Sequence, residues 1–439
     1  MLWREALKSP DERVGWPRKL RWATFDAGKF NILLEKLQGL NTDMTYFLDA
    51  HEKRQLRQGQ ENINMQILEV NNKVDQLLHL FKPTSAETAS GDVPKLARMA
   101  RFKALNVAVE GGIIQHTGIS SAGLELPLAT NLDKSLLKLN TTGHEPLPKP
   151  ARSGAIYGDI PVWVEWKYYD AENDHSWIET RISRLSILLR DPKKPEEFRV
   201  PNCLGYFQDV GSRRFGFVFR SQLPAGPMIP QSLYSTITGT MKPPLTQRVS
   251  LSWKIASSLG HLHATNWLHK GLRSDNVLLM ASDDVSSPTL SGFEYSRPAN
   301  RDEITELPSM DRLQELYRHP DVQFDVPRDG NYGFAKIHDI YSLGVVLFEV
   351  GVWHPIHDLL MISPHELIRR PVLRGVREKL LASEKLGLLR AEVGDKFAEA
   401  TRLCLAGEFS TTDDEMNTGV QVQANFREKV VDVLACISV

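Results

Sequence analysis

Cysteine is scarce in this chain. There are three in 439 residues, Cys203, Cys404 and Cys436, far apart and with no CxxC pair. That count excludes a disulfide framework and a cysteine metal or redox site, and it points to a reducing, cytoplasmic setting. Net charge is almost absent too. Lys and Arg number 53 against 54 Asp and Glu, a formal charge of -1, so no global field recruits nucleic acid or an anionic membrane. The opening text, MLWREALKSPDERVGWPRK, has no apolar leader. The richest apolar run, around Ile340 to Trp353, is too short for a membrane span and carries Glu349. No internal repeat is visible. What is present, 41% hydrophobic and 24% charged residues, is enough for a sizeable core and two or three domains.

The first eighty or so residues carry two amphipathic stripes. Leu33, Leu37, Leu40, Met44 and Phe47 recur at steps of four and three, and so do Ile63, Ile67, Val70, Val74, Leu77 and Phe81. Each is an a/d stripe of the coiled-coil kind, a narrow apolar face that must be covered. Polar HEKRQLRQGQ, from His51 to Gln60, lies between them as a connection or a continuing helix, and its EKRQLR reads as a solvated helix face. Residues 1–82 are therefore a helical segment, and 83–150 a linker, partly disordered. In the linker PTSAETASGDVPK is small and polar, RFKALNVAVE is a short amphipathic piece of open type, and 111–150 is rich in Gly, Ser, Thr and Pro.

Strand-like text begins near Ile156. IPVWVEWKYY, from Ile160 to Tyr169, mixes β-branched and aromatic residues with period two, and RFGFVFR, from Arg214 to Arg220, is another strand. RISRLSILLRD, from Arg181, reads as a helix. From Leu245 the text turns helical, with Leu251, Ile255, Leu259 and Leu262 on one face. VLLM at Val277 and PTL at Pro288 bracket a polar turn, and Asp339 to Val350 is apolar nearly all round, a buried central helix. Strands first and helices after give an α+β protein with a small β-rich lobe and a larger helical lobe.

Read in order, VWVEWK, a helix, a strand, a long helix, HKGLRSDNVLLM, SGFEYSR, YRHPD and DIYSLGVVLFE resemble the protein kinase fold. They stand where that family has its β3 lysine, its HRDLKPxN catalytic loop, its DFG turn, its APE-like motif and its buried DxWSxG helix. The resemblance covers about 151–439, with a small lobe at 151–222 and a large lobe at 223–439. It implies a bilobal fold, preceded here by the helical segment.

Phosphoryl transfer needs one carboxylate at the substrate hydroxyl, a second with an Asn on Mg²⁺, and a Lys on the phosphates held by a Glu. At the catalytic Asp position this chain has Gly271. At the DFG Asp position it has Gly292, with Phe293 kept and Glu294 in place of the last glycine. Asn276 stands at the metal-binding Asn, Arg273 at the catalytic-loop Lys and Lys167 at the β3 Lys. Lys167, Arg273 and Asn276 are thus the nucleotide-binding candidates, and no metal set or catalytic set is complete. Weak binding of ATP, with or without Mg²⁺, is the most they support. Glu165, two residues before Lys167 on the same strand face, stands where the family has Ala against adenine. It opposes an apolar slot or pairs with Lys167. Glu179 is the nearest acid on the helix that holds the lysine's partner, but it is off register, which leaves Arg181 for that site. SGAIYG, with Gly154 and Gly158, lacks GxGxxG spacing and reads as a turn.

The scaffold positions survive better. Asp339 matches the buried helix Asp that braces the catalytic loop in the family, His269 opens that loop, and Tyr317, His319 and Pro320 resemble the end of the activation segment. His261 and His263, two apart on a helix, point to different faces and make no metal site. Trp163 and Trp166 read as packing residues. WPRKLRWATFDAGKFNILLEKLQGLNTDM, from Trp16 to Met44, is similar to the last part of the HeLo domain, the helical module of fungal prion-inhibition proteins. HKGLRSDNVLL with SGFEYSR and YRHP is similar to the kinase-like domains found beside such modules. The start of the HeLo module is not seen, so its membrane insertion is not implied. We expect a catalytically impaired signalling or scaffold protein of a fungal incompatibility or defence system. Its partners are other proteins, with self-association through the N-terminal helices. The alternative is an active Ser/Thr kinase using Asp275 or Glu294 as displaced acids.

Overall fold

A computed structural model describes residues 50–70, 93–110, 130–140, 151–169, 175–221, 229–239, 241–279, 285–298, 312–323, 333–363, 365–409 and 415–437, with Lys36, Gly39 and Leu77. In chain order the elements that matter for function are helix α1 (Ala50–Val70), α2 (Val93–Glu110), strands β1 (Leu137–Leu139), β2 (Arg152–Tyr157) and β3 (Ile160–Tyr168), α3 (His175–Arg190), β4 (Cys203–Asp209), β5 (Arg214–Arg220), α4 (Leu245–Ala264) and α5 (Lys336–Val352). The five strands form one antiparallel sheet in the order β1-β2-β3-β5-β4. The helices after it build the larger part, so the chain has an α+β, kinase-like fold.

β3 is central and buried on both faces. Its period of two divides it cleanly. Val162, Val164 and Trp166 face an outer core with Ala155, Phe207 and Val218. Trp163 faces inward, stacked on Phe219 at 4.4 Å, and Glu165 and Lys167 share its side of the strand. Trp163 and Trp166 are 0% and 4% exposed. The Trp166 indole N–H donates to Ser153 Oγ at 2.9 Å.

α5 is buried along its whole length, as its largely apolar text requires, and the α4 face with Leu251, Ile255, Leu259 and Leu262 lies in the same core. A short hairpin of Val277–Leu279 and Pro288–Leu290 follows the catalytic-loop text.

Of the two readings left open for HEKRQLRQGQ, the continuing helix holds: it belongs to α1. Met65 and Leu68 join the core of the large helical lobe, each worth roughly 1.5–3 kcal/mol of burial. The first stripe, 33–47, and most of the second beyond Val70 lie outside the described residues. Nor is 83–150 simply a linker. α2 is helical through RFKALNVAVE and buried almost all round, and 137–139 adds the edge strand β1. Lys103 (0% exposed) and Asn106 (1%) sit inside the core, so polar letters interrupt what is physically a buried helix. Asn106 donates to Thr265 O at 3.1 Å, and Arg101 pairs with Asp191 at 2.5 Å. Phe102 packs on Phe198 at 4.8 Å and on Trp267 at 5.3 Å, so one helix ties the sheet side to the helical side.

A half-buried charge hub fixes α1. Glu61 meets Lys95 and sits 3.1 Å from His261 and 2.7 Å from Arg427. Burial works to raise its carboxyl, but His261, Arg427 and Lys95 outweigh this and hold it well below the usual carboxylate range. At the other end of α1 the Lys103 ammonium donates to the carbonyls of Leu68 and Glu69, and Glu69 pairs with Lys336. A cation on the last carbonyls complements the helix dipole. Among the described residues no helix is long and apolar enough to cross a membrane.

Candidate functional site

The loop after α4 is held from below by Asp339. Its Oδ1 accepts the Lys270 N–H at 2.8 Å, and its Oδ2 accepts the His269 N–H at 2.8 Å and the His263 Nε2–H at 3.1 Å. Burial acts to raise this carboxyl, yet His263 and His269 keep it below the usual range. His269 is fully buried, packed at 4.5 Å on Phe293, and burial pushes its imidazole down to about 4. Phe293 also meets Trp267 at 5.0 Å. The role of His263 was missed in the sequence. Its spacing of two from His261 argued only against a shared metal, whereas each histidine serves a different acid, Asp339 and Glu61.

Gly271 and Gly292 lie face to face. A β-carbon at 271 would come within 2.7 Å of Gly292 O. Gly292 has φ +82, in the left-handed region that favours glycine, and a β-carbon there would overlap the Asn276 amide. Asn276 Nδ2 instead donates to Gly271 O at 2.7 Å. The space that a side chain at 292 would need is therefore filled by the side chain of Asn276.

The rest of the cleft is filled by a residue that was not singled out in the sequence, Arg152. It opens β2 opposite Glu165 on β3. Its Nη2 group shares its two N–H among Glu165 Oε1 at 2.8 Å, Asn276 Oδ1 at 2.6 Å and Ser291 Oγ at 2.7 Å, and Nη1 donates to Asp275 O at 2.9 Å. Glu165 Oε1 also accepts the Gly292 N–H at 3.0 Å. Burial raises the Glu165 carboxyl, with Arg152 pulling the other way. The available signal was Glu165 itself: a carboxylate on the inner face of a central strand calls for a cation. The sequence reading offered Lys167, but the ion pair is with Arg152, its cross-strand neighbour.

Lys167, 2% exposed, places its ammonium 3.5 Å from the centroid of the Tyr295 ring. Glu179 is exposed, while Arg181 donates to the carbonyls of Tyr295 and Ser296 at 2.9 and 3.0 Å. Arg273 is buried, its Nε 4.0 Å from Asp275 Oδ2. Gly154 lies inside β2 against Trp163, and Gly158 turns β2 into β3, so SGAIYG is a hairpin. Arg273 O accepts the Asn276 N–H at 2.9 Å, which ties it to the knot that Arg152 makes with Asn276.

Behind the loop, Ser274 Oγ meets Tyr317 OH at 2.7 Å, and Tyr317 donates to the buried Glu349 at 2.8 Å. Burial pushes Glu349 up to about 7. His319, Asp321 and His338 bring metal-ligand atoms within 4.8 Å of one another. Both imidazoles, however, use Nδ1 to accept a backbone N–H, from Asp321 at 3.2 Å and from Ala335 at 2.9 Å. Their neutral tautomers then carry the proton on Nε2, which leaves no lone pair for an ion.

Two curated protein kinases match part of the chain. Over 154 residues it is 25% identical to the meiosis-specific serine/threonine-protein kinase mek1 of Schizosaccharomyces pombe, covering 34% of this chain and 33% of that protein. Over 162 residues it is 24% identical to mitogen-activated protein kinase kinase kinase 6 of Homo sapiens, covering 37% of this chain and 12% of that protein. The chain thus spans a third or less of the length of these relatives. With the fold and the loop geometry, they define a kinase-like protein. Residues 1–80 match the family model HeLo, prion-inhibition and propagation, so the kinase-like domain stands behind a HeLo N-terminus.

Proposed function

We propose that this chain is a catalytically impaired, kinase-like signalling or scaffold protein, a cytoplasmic component of a fungal incompatibility or defence system that works by binding other proteins, its own copies included. One observation carries the reading. Gly271 and Gly292 replace both carboxylates, and the Asn276 amide fills the space one of them would need. Loss of a positioned base costs roughly 10²–10⁴-fold. Loss of the metal carboxylate removes the charge neutralisation on which phosphoryl transfer depends. Mg²⁺ prefers carboxylates and phosphate oxygens, and the carboxylate at this place, Glu165, is taken by Arg152. The half-buried charge hub that anchors α1 on the helical lobe supports a role in which the kinase-like body positions the HeLo segment.

The test is transfer from radiolabelled ATP by the purified chain and by its Lys167→Met variant. Both are expected at background. Transfer that disappears in Lys167→Met overturns the proposal and makes Asp275 or Glu294 a displaced acid.

A further inference from the structure

The cleft of this protein holds its own cation. Four oxygens converge on one guanidinium: Glu165 Oε1, Asn276 Oδ1, Ser291 Oγ and the Asp275 carbonyl, all within 2.6–2.9 Å of Arg152. A carboxylate, an amide oxygen, a hydroxyl and a backbone carbonyl are the ligand types a hard divalent cation takes. One of them, Asn276 Oδ1, belongs to the position where kinases hold Mg²⁺. The Arg152 and Glu165 side chains are 9% and 5% exposed, so the pair is desolvated, where charge-assisted bonds are strong and an orphaned partner is costly. Three of the four bonds, to Asp275, Asn276 and Ser291, also join β2 to the loops of the helical lobe, so the closure that a metal-bound nucleotide brings about in a kinase is supplied by the chain.

We propose that Arg152 is the resident cation of the kinase-like cleft, holding it closed in place of a divalent metal, so that the folded protein takes up neither Mg²⁺ nor a Mg²⁺-bound nucleotide until the guanidinium is removed. This rests on the reading of the cleft as non-catalytic and deepens it: the site is occupied as well as stripped. Arg, with its planar fork of donors, satisfies several oxygens at once, which Lys cannot do. Removing Arg152 leaves the Glu165 carboxyl and three neutral oxygens facing a guanidinium-sized gap; burial then favours the protonated acid, and a small cation that fills the gap releases that proton.

The experiment uses the full chain as wild type and as Arg152→Ala, with melting followed against Mg²⁺, Mg²⁺ with ADP, and free guanidinium, all at millimolar concentration and against NaCl of equal ionic strength. Wild type is expected to show no response beyond the salt control. Arg152→Ala is expected to melt several degrees lower and to gain a saturable rise with guanidinium or with Mg²⁺, since a ligand bound only by the folded state stabilises it. If Arg152→Ala is recovered unfolded, refolding with guanidinium or Mg²⁺ reads the same question: recovery supports the proposal and failure overturns it. Wild-type melting raised by Mg²⁺ with ADP overturns it, and so does an Arg152→Ala variant that melts like wild type or responds to neither cation. Phosphate transfer by wild type sinks both this inference and the reading beneath it. A cation-insensitive Arg152→Ala in a chain without transfer sinks only the inference.

Discussion

Gly292→Ala is the sharpest perturbation of the site. The native φ of +82 costs a residue with a β-carbon about 1–2 kcal/mol. The added carbon overlaps the Asn276 amide, which must leave. Its departure breaks the bond from Gly271 O and the charge-assisted bond from Arg152, worth about 1 and about 2–3 kcal/mol. The whole penalty is about 4–6 kcal/mol, a large part of the 5–15 kcal/mol that holds an ordinary domain, and it lowers Tm by about 10 °C. Asn276→Gly loses the same two bonds on its own. The double variant Gly292→Ala/Asn276→Gly is therefore expected to cost far less than the two singles added, with a coupling near 3 kcal/mol in urea melts. Additive costs, or a Gly292→Ala protein within about 1 kcal/mol of wild type, would refute the packing argument. By the same steric logic, Gly271→Asp/Gly292→Asp is expected to remain without phosphate transfer, because the carboxylates return to space that is already taken.

Two further predictions concern buried charge. Burial pushes the Lys103 ammonium from 10.5 down to about 7, with Glu69 opposing and Lys336 adding to the effect. The unfolded chain then holds the extra proton between these values, so stability rises from pH 7 upward at about 1.4 kcal/mol per pH unit and is lost as pH falls to 7. Urea melts of Lys103→Met are expected to lack that slope, and a slope equal to wild type would count against it. Glu349 behaves in the opposite sense. Its carboxyl is raised from 4.5 to about 7, so its contribution is full below pH 4.5 and lost as pH rises to 7. Glu349→Gln keeps an acceptor for Tyr317 and Ile356 and is expected to be more stable than wild type at pH 8, by about 3 kcal/mol at most; equal stability at pH 8 would argue against the buried charge.

The sequence showed the parts whose signal is local. Asp339, His269 and the two glycines sit in short motifs, and β3, β5, α4 and α5 carry their periodicity in the letters. β4 went unread because CLGYFQD mixes Gly and polar residues, and its burial comes from pairing with β5. α2 was hidden because a buried helix need not be apolar when Lys103 and Asn106 find carbonyl partners at the ends of α1 and α4. Arg152 was invisible for a related reason. Its partners are 13, 124 and 139 residues away, and only the register of β2 on β3 brings it opposite Glu165. The acid at 165 was legible, and the identity of its cation was a tertiary fact.

On the proposed reading, side chains of this chain occupy the place of metal and phosphate. Diffraction from crystals grown with Mg²⁺ and a non-hydrolysable ATP analogue tests this most directly. The expected map shows the Arg152 guanidinium between Glu165, Asn276 and Ser291, the Asn276 amide against Gly292, and no metal or nucleotide in the cleft. A metal on Asn276 Oδ1 beneath a bound nucleotide, with Arg152 swung out to solvent, would contradict it.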